Sequence, residues 1–387
     1  MFNRILEWKF PKRSFFIFGP RQTGKSTLLK KLETKLSLDL LKPETHLLYT
    51  KAPSTLAKEV LALREKKGWI LIDEVQRVPQ LLDVIHSLME EFPHLHFVMS
   101  GSSARKLRRG ASNLLGGRAL YRTLHPLTYE ELDQKFDLET VLSYGSLPKI
   151  YLTLAERDPE LAQDLLRSYV TTYLEEEIKS EALVRNLQGF QNFIDVAAAQ
   201  FSEQVNLSEV GKQCLVPYAT VREYYSILED TLIGFFLFPY LKSFRKRMSH
   251  APKFYFFDNG VTRAILGQTK APPSSLEKGR LFEQWMIQEV NRINRYFQKD
   301  WKLTFWRTSH GAEVDLLLEQ GNRLLVALEF KFKRSFSGQD FSGLQAFKET
   351  HPKVPVYLVG ALTHKQRVGS FDIFPALEML EFLKKNF

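Results

Sequence analysis

The residues best equipped for chemistry lie between Phe15 and Thr27, FFIFGPRQTGKST. Gly19, four intervening residues and Gly24-Lys25-Ser26 match the phosphate-binding pattern G-x-x-x-x-G-K-[ST]. Each residue type answers a physical need. Glycine lets the backbone pass close to an oxygen-rich anion. The loop Gly19-Pro20-Arg21-Gln22-Thr23-Gly24 can then turn successive N–H groups inward as a nest around phosphates. A helix beginning at the loop adds its positive N-terminal end. Lys25 sets a point charge against the β- and γ-phosphates, the Ser26 hydroxyl ligates Mg²⁺, and Thr27 completes the motif. The flanks fit: SFFIF reads as a buried strand and LLKKLETKL as the continuing helix. The cofactors expected are ATP and Mg²⁺.

A second chemical pair occurs in GWILIDEVQRVPQ. Trp69 to Ile72 form a continuous apolar run, as in a strand buried on both faces of a parallel sheet. It leads into Asp73-Glu74, and open α/β sheets build their sites at that end of a strand. The pair looks like a Walker B element, with Asp73 holding Mg²⁺ through water and Glu74 orienting the attacking water. His96 to Ser100 reads as a third buried strand. It ends in Gly101-Ser102-Ser103, where Ser102 or Ser103 is placed to hydrogen-bond the γ-phosphate or the water. Strands alternating with helices predict a parallel sheet wrapped by helices. Within that frame, HLLYT at His46 to Thr50 is expected as a short strand, and Ser54 is expected to cap a helix reaching Lys67.

The segments GPRQTGKST, LIDEVQRVPQ, SGSSARKL, GGRALYRTLHPLTYEEL and YGSLPKIYL, in that order, resemble the prokaryotic AAA-type P-loop ATPases that carry a large C-terminal domain of unknown function. Ser26 stands where many members have Thr, a change that preserves the hydroxyl. In such ATPases an arginine near the end of the core often reaches a neighbouring subunit's γ-phosphate. The resemblance implies that role for Arg118 in GGRAL, with Arg105, Arg108 and Arg109 as competitors, and with it homo-oligomerisation through the ATPase domain.

Further carboxylates collect near the C-terminus. Leu281 to Phe297 is an amphipathic helix bearing Glu283. Glu313 and Asp315 lie in one strand and Glu329 and Lys331 in the next, and the period of two puts each pair on one face. Asp315 followed by Glu-x-Lys, with a helix acid before it and the helix Phe341 to Thr350 after it, is similar to the PD-(D/E)xK restriction-endonuclease-like fold. The resemblance implies that Glu283, Asp315 and Glu329 hold Mg²⁺ through oxygen ligands. Lys331 would polarise water or stabilise charge on a scissile phosphate. Alternatives remain at this point: Glu313 as the ligand in place of Asp315, and Lys331 as a plain ion-pair partner of Glu329.

Between these regions, Phe190 to Phe201, Asn206 to Leu215 and Thr220 to Asp230 read as helices, Asn206 supplying an N-cap with Glu209 three residues later. Two strands follow with a basic loop between them. The order suggests a winged helix, and Lys242, Arg245, Lys246, Arg247 and Lys253 form a wing suited to a phosphate backbone. The expected division is therefore an ATPase domain over 1–125, a helical connector over 126–185, a winged-helix-like domain over 186–270 and a nuclease-like domain over 271–387, an α/β chain overall. Glu175, Glu176 and Glu177 in the connector cannot share one helical face and read as solvated.

The bulk properties fit this division. The 387 residues exceed one ordinary core, and 44% hydrophobic with 25% charged residues is globular composition. A net charge of +10 favours a polyanionic partner such as nucleic acid, or an anionic membrane surface; the partner expected here is nucleic acid, DNA before RNA. The single cysteine, Cys214, excludes an internal disulfide framework and fits a reducing cytoplasm. MFNRILEWKFPKR lacks a signal-peptide core. The apolar run Leu232 to Leu241 is interrupted by Gly234 and Pro239 and is about half a membrane span, so no membrane partner is expected. Two readings of the whole stand at this stage. One is an ATP-driven nucleic-acid enzyme with a Mg²⁺-dependent nuclease domain. The other is a nucleotide-switched binding or assembly ATPase whose C-terminal domain does not cut.

Overall fold

The computed structural model describes residues 2–103, 107, 115–174, 186–241 and 251–387. Its N-terminal part is built on five parallel strands: β1 (Phe15–Phe18), β2 (Thr34–Asp39), β3 (Gly68–Asp73), β4 (Leu95–Gly101) and β5 (Leu120–Thr123), in the order β2-β3-β4-β1-β5. All four residues of β1 are buried, which explains the unbroken run FFIF. The helices Pro43–Lys51, Thr55–Ala62 and Leu81–Glu91 cover the sheet. Their Tyr49, Leu56, Val60 and Ile85 join Phe16, Ile70 and Phe97 in one core.

Three local expectations give way here. The helix after the phosphate loop runs only from Lys25 to Leu29. The N–H groups of Lys31 and Leu32 donate to Leu28 and Leu29, tightening and ending it. The chain then forms β2, whose Leu36 and Leu38 pair with Ile70 and Ile72 of β3. Lys35 and Ser37, which alternate with these leucines, suit an edge strand, so ETKLSLD satisfies the open edge of β3 rather than extending the helix. HLLYT lies within the helix Pro43–Lys51, which Pro43 opens at its first turn. Ser54 makes no side-chain cap to the helix that follows.

The helices expected between 186 and 230 are present as Leu187–Ala199, Leu207–Cys214 and Tyr218–Asp230. Asn206 caps the second, its side chain accepting from the N–H groups of Ser208 and Glu209. The hairpin β6 (Gly234–Pro239) and β7 (Lys253–Phe256) follows. It does not stand apart. β6 pairs in parallel with β8 (Lys302–Arg307) through Phe238 and Thr304. The other strands are β9 (Glu313–Gln320), β10 (Arg323–Lys331), β11 (Val356–Gly360), β12 (Gln366–Val368) and β13 (Phe371–Pro375). The resulting eight-stranded sheet has the order β12-β13-β11-β10-β9-β8-β6-β7 and crosses residue 270 without a break in its hydrogen bonding. The helix Ser275–Phe297, opened by a capping box of Ser274 and Glu277, buries Phe282, Trp285, Met286 and Val290 with Leu316, Leu318, Val326 and Leu328 of the sheet. Phe341, Leu344 and Phe347 pack with Leu317 and Ala327 in a separate core.

Candidate functional site

The phosphate loop leaves the C-terminal end of β1 and leads into the helix Lys25–Leu29. Its glycines are required by space and by conformation. A Cβ on Gly19 would meet the Leu124 carbonyl oxygen at 2.2 Å, and Gly24 has φ +92°. Thr23 is fully buried and its hydroxyl donates to the Pro20 carbonyl at 2.9 Å. The Lys25 ammonium donates to the carbonyls of Gly19 (2.7 Å) and Pro20 (2.9 Å), so the lysine lies folded over its own loop.

The second acidic pair faces this loop because β3 and β1 are both neighbours of β4 and run parallel to it. The Ser26 hydroxyl donates to Asp73 Oδ2 at 2.8 Å. Ser100, at the end of β4, donates to Asp73 Oδ1 and accepts the Glu74 N–H at 3.2 Å. Glu74 itself has φ +59°, a sparsely populated conformation for a non-glycine residue. Gln76 holds its carboxylate through Nε2, which also donates to the Ser102 hydroxyl at 3.2 Å. Gln76 Oε1 is buried and without a partner among the described residues, and a Cβ on Gly101 would meet it at 2.4 Å. Serine and aspartate thus face one another as two oxygen donors for a hard cation, which is the donor set Mg²⁺ takes. Beside the loop lies a cavity of about 320 Å³ walled by Phe2, Gly24, Thr27, Leu127, Pro148 and Leu152. Its apolar walls suit a planar base, and neither Phe2 nor Pro148 and Leu152 belong to the phosphate motif.

Arg118 is not brought to the loop. Leu120, two residues on, pairs with Phe15 at the start of β1, whereas the loop follows Phe18 at its end. Its guanidinium pairs instead with Glu90 at 2.6 Å. The competitors Arg105, Arg108 and Arg109 lie outside the described residues, as do Glu175, Glu176 and Glu177.

The C-terminal carboxylates do converge, but around lysines. The Lys253 ammonium is 2.9 Å from Glu283, 2.5 Å from Glu313 and 3.9 Å from Asp315. Tyr255 donates to Glu283 Oε1 at 2.6 Å, and Asp315 Oδ2 accepts the Phe330 N–H at 2.8 Å. Lys331 pairs with Glu329 at 2.7 Å, the ion-pair alternative raised by the sequence. Glu329 Oε2 is buried without a partner among the described residues. Burial, then the Glu329 and Glu283 carboxylates, pushes Asp315 well above the usual carboxylate range, against the pull of Lys253 and Lys331. Burial also raises Glu329, with Lys331 opposing it. Burial works the same way on Glu313, but Lys253 and Arg307 outweigh it and hold that carboxyl below its ordinary value.

One expectation is corrected by this arrangement. Lys253 is only 3% exposed, so it does not lie in a solvent-facing wing: β7 turns it into the sheet, where the acids neutralise it. Lys242, Arg245, Lys246 and Arg247 lie outside the described residues. Among the described residues no group of three His, Cys, Asp or Glu side chains is arranged to hold a metal ion. The ammonium of Lys253 stands against Glu283 and Asp315, and that of Lys331 against Glu329.

Residues 11–133 match a family model described as an AAA domain. The N-terminal part is accordingly similar to P-loop ATPase domains of AAA type. Residues 135–271 and 278–379 match two models each described as a domain of unknown function, DUF8612 and DUF4143. An uncharacterised protein of Mycobacterium tuberculosis is 26% identical over 311 residues, covering 79% of this chain and 67% of its own. An uncharacterised protein of Haemophilus influenzae is 25% identical over 302 residues, covering 70% of this chain and 73% of its own. Similar solved structures include the Walker-type ATPase of Pyrococcus abyssi, with TM-score 0.47 and 14% identity over 68% of this chain and 96% of that one. Another is the ORC2 protein of Aeropyrum pernix in ADPNP–ADP complexes, with TM-score 0.27 and 13% identity over 67% of this chain and 89% of that one. Among the described residues no helix is long and apolar enough to cross a membrane.

Within residues 11–133, Gln76 is the site residue that sequence reasoning missed. It stands two residues beyond Glu74, where a polar side chain after an acidic pair was the available signal. Arg4 was missed as well and precedes the matched segment altogether: its guanidinium donates to the Thr23 carbonyl of the phosphate loop at 2.7 Å.

Proposed function

We propose that the chain is a nucleotide-switched ATPase that hydrolyses ATP at Gly19–Thr27, and that its C-terminal domain binds or assembles rather than cuts. The observation carrying hydrolysis is the linked set Ser26–Asp73–Ser100–Glu74. On binding, Lys25 exchanges the loop carbonyls for phosphate oxygens. Ser26 and Asp73 would hold Mg²⁺, which would supply positive charge against the phosphates. Glu74, fixed by Gln76, orients the water, and Ser102 stands beside it. The base enters the cavity between Phe2, Leu127 and Pro148. Arg118, on the far end of the sheet from its own loop, serves the γ-phosphate of a neighbouring copy in a homo-oligomer. The partner is nucleic acid, a reading supported by the net charge of +10.

The burial of Lys253 among Glu283, Glu313 and Asp315 favours the non-cutting reading. One observation favours the nuclease reading: Glu283, Asp315, Glu329 and Lys331 influence one another in a single buried cluster on β9, β10 and the long helix. Purified protein incubated with Mg²⁺ or Mn²⁺ and plasmid, linear or single-stranded DNA, with and without ATP, separates the two. We expect phosphate release with intact DNA. Cleavage lost in Asp315→Asn would establish the nuclease reading instead.

A further inference from the structure

Arg4 is an arginine almost wholly removed from solvent, 6% exposed. Its fork reaches three separate parts of the chain. Nε pairs with Glu131 at 3.0 Å. Nη1 donates to the Thr23 carbonyl at 2.7 Å, and Nη2 to the His125 carbonyl at 2.5 Å, with the Tyr296 hydroxyl at 3.5 Å. Glu131 is itself fixed, accepting from the N–H groups of Ile5 and Thr128. The guanidinium is therefore held from behind by a carboxylate and aimed at one peptide of the phosphate loop.

That peptide joins Thr23 to Gly24. It is planar and trans, since no peptide bond among the described residues is cis. In a trans peptide the carbonyl and the N–H point in opposite directions. Fixing the Thr23 oxygen toward Arg4 thus turns the Gly24 N–H away from it. Gly24, with φ +92°, is free to flip this peptide, and Gln22, one residue before Thr23, also has positive φ, at 62°. Such a loop needs an external restraint to keep its N–H groups ready for an anion. The Thr23 hydroxyl bonds within the loop to Pro20; the contact from Arg4 ties the same residue to the body of the protein.

We propose that Arg4 is a positioning residue for nucleotide binding, holding the Thr23–Gly24 peptide in the orientation that receives phosphate. The proposal rests on the reading of Gly19–Thr27 as a nucleotide site. Losing a preset orientation weakens ground and transition states alike, so KM should rise while kcat stays. A purely architectural arginine would lower the melting point and leave KM alone.

The test uses the full chain, with calorimetric titration of ATP·Mg²⁺ and steady-state hydrolysis. Arg4→Ala is expected to raise Kd and KM about tenfold, with kcat at saturation within about threefold of wild type, because one charged hydrogen bond to the loop is lost. Arg4→Lys, with a single donor group on a flexible stem, should fall between, and decides the matter should Arg4→Ala fail to fold. Tyr296→Phe removes a contact of the same guanidinium without touching the Thr23 carbonyl and should keep the wild-type KM. Wild-type KM in Arg4→Ala or Arg4→Lys, or an equal rise in Tyr296→Phe, overturns the proposal. A wild-type chain that binds no ATP would instead overturn the nucleotide-site reading, and this proposal with it.

Discussion

Lys253 is bound to the C-terminal carboxylates by charge in a place with little water. Burial alone would lower the basicity of its amine, but Glu283, Tyr255, Asp315 and Glu313 raise it well above the ordinary lysine value. Removing one partner of a buried ion pair strands the other, at a cost of about 3–5 kcal/mol. Lys253→Met should therefore lower the unfolding midpoint sharply, and adding Glu283→Gln should recover part of the loss, since the two residues touch. Equal midpoints for wild type and Lys253→Met would show that the acids need no internal cation. At this scale, legibility followed sequence distance. Gly19, Lys25 and Ser26 declare themselves by local spacing, and Asp73-Glu74 by the apolar run before them. Lys253 was read with its neighbours in a basic loop because its partners are far along the chain; Arg4 meets Glu131 at a separation of 127 residues. Nothing near either lysine or arginine in the sequence announces those carboxylates.

The helix Ser275–Phe297 carries charged groups of a different kind from a solvated surface helix. Glu289 on it is buried beside Arg292 at 2.6 Å and also accepts the Tyr129 N–H. Burial pushes its carboxyl up to about 7, against the pull of Arg292. The folded value is raised above the unfolded one, so its contribution to stability is complete below about 4.5 and is lost as pH rises through about 7. Urea titrations at several pH values should accordingly give a wild-type midpoint that falls between about pH 4.5 and about 7 more steeply than that of Glu289→Gln. A slope unchanged by the substitution would remove Glu289 as its source. The helix itself was legible from its apolar period and capping residues. The stretch from Leu28 to Thr50 was not. Its short apolar runs satisfy helix and strand alike, and the open edge of β3 decides between them. The hairpin β6–β7 was foreseen as an element, but its pairing to β8 is a long-range choice that no local pattern encodes.

Across the whole molecule the two chemical clusters are joined by that same helix. Glu283 on it touches Lys253, and Tyr296, about 20 Å further along, accepts the His125 N–H beside the contacts of Arg4. The phosphate loop thus has a continuous packed path to the C-terminal sheet. Hydrolysis at the loop is the claim on which the rest depends, and Glu74→Gln addresses it without disturbing the groups that hold phosphate. The measurement is phosphate release per chain under saturating ATP·Mg²⁺, paired with nucleotide affinity. Glu74→Gln should bind ATP with wild-type affinity and release phosphate at least about a hundredfold more slowly, because the water is no longer oriented. Phosphate release by Glu74→Gln at the wild-type rate would contradict the assignment of Glu74 and the mechanism built on it.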